Sequence, residues 1–264
     1  PLPRAMDGII NLNKAVGITS AKALYRVRAL TGQRKSGHAG TLDPGADGVL
    51  VLCLGRATKL VETIMDQPKA YHTVARLDVT SESFDSDRPL VAVPVAAVPD
   101  RKTVDAAFAS FIGEIMQRPP AISAIKVGGR PAYKLAGKPG APELNPRPVR
   151  VYSVVVNRYA WPIVEFDMCC GRGTYVRALI RDVGAALGTG GCLSSLTRTR
   201  VGPFDVGSSW TIDAMTSAST SDYLIPLREA IRLLDRGQAE MEGTGADATP
   251  ARFGKAVHEW DSAT

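Results

Sequence analysis

The apolar positions change period several times along the chain, and each change marks an element. Gly8-Ile-Ile-Asn-Leu-Asn-Lys14 is a short apolar run that predicts a strand, stopped by the turn-like Ala15-Val-Gly17-Ile. Thr19 or Ser20 then caps a helix whose Ala23, Leu24, Val27 and Leu30 share one face, leaving Lys22, Arg26 and Arg28 toward solvent or a ligand. Residues 33–47 hold Gly37, His38, Gly40, Pro44 and Gly45, too many breakers for an element, and predict a loop. Gly48–Leu54 reads as a buried strand, Ala57–Met65 as a helix and Ala70–Leu77 as an alternating strand. The acidic, Ser-rich Thr80–Arg88 and the Val, Ala and Pro run Pro89–Pro99 predict irregular connections, followed by a helix over Thr103–Phe111. Gly137–Pro148 is rich in Pro and Gly and is expected to be mobile. Val149–Val156 and Ile163–Met168 predict an antiparallel pair around Trp161-Pro162. In Thr174–Leu187 the residues Val176, Leu179, Ile180, Val183 and Leu187 recur at helical spacing, which puts Arg177 and Arg181 together on another face. From about Ser208 the chain turns acidic and small-residue-rich, with one helix at Asp222–Asp235 and about thirty weakly structured residues at the end. Sheet and helix mix without a repeat.

At 264 residues the chain is near the length where one large domain gives way to a domain plus an appendage. With 45% hydrophobic and 22% charged residues, and 25 Gly and 18 Pro in no period, it is neither collagenous nor disordered. Its apolar stretches, such as Leu90–Pro99 and Val151–Val156, are too short or too broken by Pro for a bilayer. The opening Pro1–Asp7 lacks the apolar core of a signal peptide, and a start on Pro1 reads as a trimmed chain. Cys53, Cys169, Cys170 and Cys192 offer no zinc spacing, and the adjacent pair cannot readily bridge, so free thiols in the cytoplasm are expected. The net charge is +6 and unevenly spread. Residues 1–60 carry 9 Lys and Arg against 3 Asp and Glu, and residues 121–210 carry 12 against 5, while the other two stretches are acidic. If the fold joins the two basic segments, they form a face suited to a polyanion such as nucleic acid; plain solvated surface is the alternative.

Cofactor signatures are missing from the sequence. There is no Gly-Lys-Ser/Thr phosphate loop, no dinucleotide glycine fingerprint and no Gly-x-Ser-x-Gly elbow, and with His38, His72 and His258 as the histidines, no metal or cofactor is expected. What remains is the dense loop Lys35-Ser-Gly-His-Ala-Gly-Thr-Leu-Asp-Pro-Gly-Ala-Asp-Gly48. In it, Asp43 lies between Leu42 and Pro44, with glycines nearby that let another backbone approach. By itself an Asp-Pro also reads as an Asx-type turn.

Gly37-His-Ala-Gly-Thr-Leu-Asp-Pro44, followed by Gly48-Val-Leu-Val-Leu and Gly55-Arg-Ala-Thr-Lys59, resembles the central motif of the TruB family of tRNA pseudouridine synthases. Other stretches agree in order. Leu12-Asn-Lys-Ala-Val-Gly-Ile-Thr-Ser20 is similar to the family's N-terminal signature, with Ala15 for its proline, and Lys69-Ala-Tyr-His-Thr-Val-Ala-Arg-Leu77 to its Lys-x-Tyr strand. Pro119-Pro-Ala-Ile-Ser-Ala-Ile-Lys126 resembles its Ser-Ala-x-Lys segment, Gly173-Thr-Tyr-Val-Arg177 its Gly-Thr-Tyr-Ile-Arg helix start, and Leu196–Phe204 its closing strand. The likeness covers about residues 8–210. Asp78, Ser81-Glu-Ser-Phe-Asp85 and Gly45-Ala-Asp47 depart from the family's usual residues, and Ala251–Val257 is at best a remnant of its C-terminal RNA-binding PUA domain.

The resemblance implies an α+β fold, a long mixed and mainly antiparallel sheet flanked by helices, with a catalytic domain over 1–210 and a C-terminal helix with a short PUA-like remnant over 211–264. It implies conversion of uridine 55 in the tRNA T loop to pseudouridine, without cofactor, by a monomer that meets the T arm and needs no protein partner. Asp43 is then the nucleophile, attacking ribose or uracil, and Arg177 the cation that keeps it ionised. Tyr71 stacks on the uracil and its hydroxyl helps remove the carbon 5 proton, though an alternating strand also puts a Tyr in the core. His38 enters the T-loop stack as the base flips, or simply caps the loop. Tyr175, Leu196 and Ile125 wall the uracil pocket or pack the core, and Lys14 and Lys126 steady the loop or contact RNA. Asp43 and Arg177 are expected to meet, both buried, in one cleft lined by Tyr71. A binding protein of this fold without catalysis, a synthase acting on another RNA and an unrelated hydrolase are the rival functions.

Overall fold

The computed structural model describes residues 6–122, 126–127, 130–131 and 144–243. Its first half runs β1 (Gly8–Lys14), α1 (Ser20–Thr31), β2 (Ser36–His38), β3 (Asp47–Leu54), α2 (Val61–Asp66), β4 (Lys69–Arg76), β5 (Val79–Thr80), β6 (Val91–Ala92), α3 (Arg101–Ala109) and β7 (Gly113–Gln117). The remainder runs β8 (Lys126–Val127), β9 (Arg130–Pro131), β10 (Arg147–Ala160), β11 (Ile163–Cys170), α4 (Val176–Leu187), β12 (Cys192–Val201), β13 (Phe204–Asp205), α5 (Ile212–Ser217), α6 (Thr220–Tyr223), β14 (Ile225–Pro226) and α7 (Leu227–Gly243).

Ten strands form one sheet in the order β14-β1-β3-β12-β4-β11-β10-β7, with β2 beside β3 and β13 beside β12. Among the described residues every pairing in it is antiparallel except the short parallel contact of β12 with β3, Thr197 opposite Asp47 and Arg198 opposite Gly48. The fold is therefore the mixed, mainly antiparallel α+β architecture expected from the family motifs.

The central strand β3 is an unbroken apolar run because it is covered on both sides. Leu50, Leu52 and Leu54 join a cluster with Leu12, Val27, Phe166 and Leu179, while Val49, Val51 and Cys53 join another with Ile9, Ile64, Phe204 and Leu234. Helix α3 packs over β10, with Phe108 against Phe166 at 4.8 Å between ring centroids. Helix α4 buries Val176, Leu179, Ile180 and Val183, the stripe its spacing predicts, and ends on Gly188 in a left-handed cap.

Several expectations are corrected. The predicted loop 33–47 contains β2, which hydrogen-bonds along β3 from Ser36 to His38. The helix foreseen over Ala57–Met65 begins as a tight 3-10 turn at Gly55 and becomes α2 only at Val61. The connections between 80 and 99 hold the β5–β6 pair, and β7 lies in a stretch with no predicted element. Arg147 and Pro148, assigned to a mobile connection, already belong to β10. Pro148 is tolerated there because it pairs with β7 alone, ahead of the first partner on β11 at Val151. The helix expected over Asp222–Asp235 is divided. Ile225 and Pro226 pair with Ile9 and Gly8 at the sheet edge, and Pro226, which lacks an N–H and fits immediately ahead of a helix, separates α6 from α7.

Residues after 210 pack on the same sheet, Met215 and Tyr223 in one apolar cluster and Ala230 and Leu234 in the other. Helix α7 carries order to Gly243, into the stretch expected to be weakly structured. The segment 251–257 and most of 137–148 lie outside the described residues. All four cysteines are free and buried. Among the described residues no helix is long and apolar enough to cross a membrane.

Candidate active site

Asp43 sits on the loop between β2 and β3, and that loop is gripped by side chains from distant parts of the chain. The Ser20 hydroxyl accepts from the Leu42 N–H at 2.8 Å and donates to the Leu42 carbonyl at 3.0 Å. Arg198 on β12 donates through Nε to the Val49 carbonyl at 2.8 Å and through Nη2 to the Gly40 carbonyl at 3.0 Å. Gly17 N–H reaches the Pro44 carbonyl at 2.8 Å. Gly48 makes the crossing of β3 and β12 possible. Its φ is +93°, and a Cβ there would stand 2.3 Å from the Arg198 carbonyl oxygen. The turn after Asp43 is closed by its carbonyl accepting from Ala46 N–H.

The carboxylate meets the residue that the motifs single out. Arg177 Nη2 lies 2.8 Å from Asp43 Oδ2 although the two are far apart in sequence. The guanidinium also donates to the Ser83 carbonyl and to the Ile122 carbonyl, each at 3.1 Å. Burial is not shared as expected: the Arg177 side chain is 6% exposed and that of Asp43 is 43% exposed. Asp43 therefore keeps an open flank, which an approaching substrate needs.

The first turn of α4 is fixed by a residue that the sequence pattern did not point to. Gln117, almost fully buried at the end of β7, accepts from Tyr175 N–H at 2.8 Å and donates to the Tyr175 carbonyl at 3.2 Å. It stands in for the side-chain cap that α4 lacks and sets the helix start two residues ahead of Arg177. Tyr175 itself is half-buried.

Tyr71 and Leu196 lie on neighbouring strands, each 9% exposed, and share an apolar cluster with Leu42. Burial pushes the Tyr71 phenol up to about 12, with the Arg198 guanidinium opposing. His38, on β2, is half-buried with Nδ1 unpartnered. Burial first, then the positive charge of Arg198, lowers its pKa, so the ring is neutral at pH 7. Asp85 is buried, and loss of solvent raises the pKa of its carboxyl, with Arg177 opposing.

Lys14 is 0% exposed, and its Nζ donates to the carbonyls of Ala15 and Ile18 at 2.9 Å each. Burial lowers its pKa against the pull of Asp47 and Asp43. Both bonds tie it to the turn that follows β1. Ile125 lies outside the described residues, as does the Lys126 side chain, whose backbone forms β8. Among the described residues no three His, Cys, Asp or Glu side chains gather as a metal site.

A family model described as the N-terminal domain of TruB family pseudouridylate synthases matches residues 28–176. A second, described as the tRNA pseudouridylate synthase B C-terminal domain, matches residues 177–236. The chain is 38% identical over 226 residues to a Clostridium kluyveri protein called tRNA pseudouridine synthase B, covering 86% of the chain and 78% of that relative. It is 40% identical over 231 residues to a protein of the same name from Syntrophus aciditrophicus, covering 86% of the chain and 74% of the relative. Among solved structures it is similar to a Cbf5-Nop10-Gar1 complex, with a TM-score of 0.67 and 28% identity. The match covers 86% of this chain and 62% of the solved one.

Proposed function

This chain belongs to the TruB family of pseudouridylate synthases, and from that premise we propose that it isomerises uridine 55 in the T loop of tRNA, with Asp43 as nucleophile. The observation that carries the assignment is the 2.8 Å contact between Arg177 and the half-exposed Asp43 carboxylate. A nucleophilic carboxylate must be ionised and reachable at once. The half-exposed Asp43 carboxylate beside a buried guanidinium leaves an oxygen open for attack.

The uridine leaves the T-loop stack and enters beside Asp43, over the Tyr71 ring and against Leu196, while the neutral His38 ring fills the vacated stack. Asp43 attacks the ribose or the uracil, the N-glycosidic bond breaks, the base turns, and carbon 5 bonds to the sugar carbon. The carbon 5 proton is then removed. A phenol held near 12 keeps its own proton at neutral pH, so Tyr71 serves first as a stacking surface. The regenerated Asp43 carboxylate is the better acceptor for that proton. The exposed Lys22, Arg26 and Arg28 of α1 supply cations for tRNA phosphates in a reaction that one chain performs alone in the cytoplasm.

An unmodified tRNA transcript incubated with the protein, treated with carbodiimide and read by primer extension, tests the assignment. One new stop at position 55 is expected. Binding without any stop, or a stop confined to another uridine, overturns it.

A further inference from the structure

Arg177 and Arg181 stand one turn apart on α4, roughly 6 Å along its axis, and both reach across to the same two segments. Arg177 donates to the carbonyls of Ser83 and Ile122. Arg181 donates through Nη2 to the Arg118 carbonyl at 2.9 Å, and its guanidinium carbon lies 5.4 Å from the centroid of the Phe84 ring. The turn over 81–85 has a further peculiarity. Phe84 has φ of +56°, the one non-glycine residue with a positive φ among those described. An aromatic residue rarely adopts that conformation, so the surroundings must impose it. Ser81 ties the turn from inside, its hydroxyl accepting from Asp85 N–H at 3.0 Å and its carbonyl from Phe84 N–H at 3.2 Å. From outside, Leu193 N–H donates to the Phe84 carbonyl and Ser86 N–H to the Leu193 carbonyl. The reversal at Phe84 lies between the Ser83 carbonyl that holds Arg177 and the buried Asp85.

We propose that Arg181 and Phe84 form an outer clamp that holds the 81–85 turn in its strained form and thereby aims the Arg177 guanidinium at Asp43. Both are positioning residues, and the proposal rests on Asp43 and Arg177 being the reacting pair. Without the clamp the turn relaxes, the Ser83 carbonyl leaves Arg177, and the guanidinium loses one of the two carbonyls that orient it.

The test uses Arg181→Met and Phe84→Leu in the full chain, with kinetics on a tRNA transcript and amide hydrogen exchange without substrate. Each variant is expected to lower kcat by roughly tenfold or more with KM changed by less than about threefold, and Phe84→Trp, which keeps a ring, to retain most of kcat. The double variant is expected to lose no more than the worse single one, because both remove the same contact. Independently of turnover, the amides of residues 84, 85, 86 and 193 exchange roughly tenfold faster in Arg181→Met. Unchanged kcat in an active enzyme, additive losses, or unchanged exchange at these amides overturns the clamp. If the wild type fails to modify tRNA while exchange responds as stated, the function falls and the clamp stands.

Discussion

At the scale of single residues the site is a carboxylate on a braced loop facing one buried guanidinium, and the bracing runs almost entirely through backbone carbonyls. Arg177 serves Asp43, Ser83 and Ile122 with one planar fork, which a lysine cannot reproduce. Arg177→Lys is therefore expected to lower kcat by roughly a hundredfold or more with tRNA binding within a few-fold, measured by single-turnover assay and filter binding. Because Asp43 keeps 43% of its side-chain exposure, removing the cation does not strand a buried charge. Arg177→Met is expected to lose only about 1–2 kcal/mol in urea unfolding, mainly for two carbonyls left without a donor; a loss several-fold larger would mean the carboxylate is effectively dry. Asp43, Tyr71 and Arg177 were legible as candidates because their residue types stand in ordered motifs, and the structure brings Asp43 and Arg177 together. Arg198, Gln117 and Ser20 were not legible as site residues, because a donor aimed at a main-chain carbonyl carries no matching partner in sequence. Arg198 finds the carbonyls of Thr41 and Gly40 across 157 and 158 positions.

At the scale of elements, long segments with a clean period were readable and short or edge segments were not. The apolar runs of β1 and β3, the alternation of β4 and the stripe of α4 each reflect burial on a fixed face. By contrast β2 spans three residues and β5 and β6 two each, too short for a period to appear, and they exist because a neighbouring backbone offers partners. Polar groups also tie strands together. On the face of β4 away from Tyr71, His72 Nδ1 lies 2.8 Å from Asp167 Oδ1 on β11, and Asn157 on β10 donates to the other Asp167 oxygen at 2.9 Å. The Asp167 bond raises the His72 pKa above its ordinary 6.5. A raised folded value means that the contribution is complete below 6.5 and is lost as pH climbs through the higher value. The imidazole is 37% exposed, so the effect is small. Wild type is expected to exceed His72→Gln by about 0.5–1 kcal/mol in urea unfolding near pH 6 and by less near pH 8.5; a difference independent of pH would remove this link.

At the scale of the whole molecule, the sheet brings together two segments that the charge pattern had set apart. Asp43 comes from the basic stretch 1–60 and Arg177 from the basic stretch 121–210, and the parallel contact of β3 with β12 carries Arg198 across to the Asp43 loop. Apart from the antiparallel pair of β10 and β11 around Trp161-Pro162, which was expected and is found, which strands would neighbour one another was not readable, since period reports burial and not pairing. The C-terminal segment was read in part: a helix was expected over Asp222–Asp235, but not that β14 completes the sheet edge beside β1 or that α7 covers the second apolar cluster. The central claim is that this assembly exists to present one reactive carboxylate to a uridine. Asp43→Asn tests it most directly, because the amide keeps the size of the side chain and removes its nucleophilic oxygen. With a tRNA transcript, pseudouridine formation is expected to vanish while the dissociation constant stays within about threefold of wild type. Pseudouridine formed at a comparable rate by Asp43→Asn would contradict it.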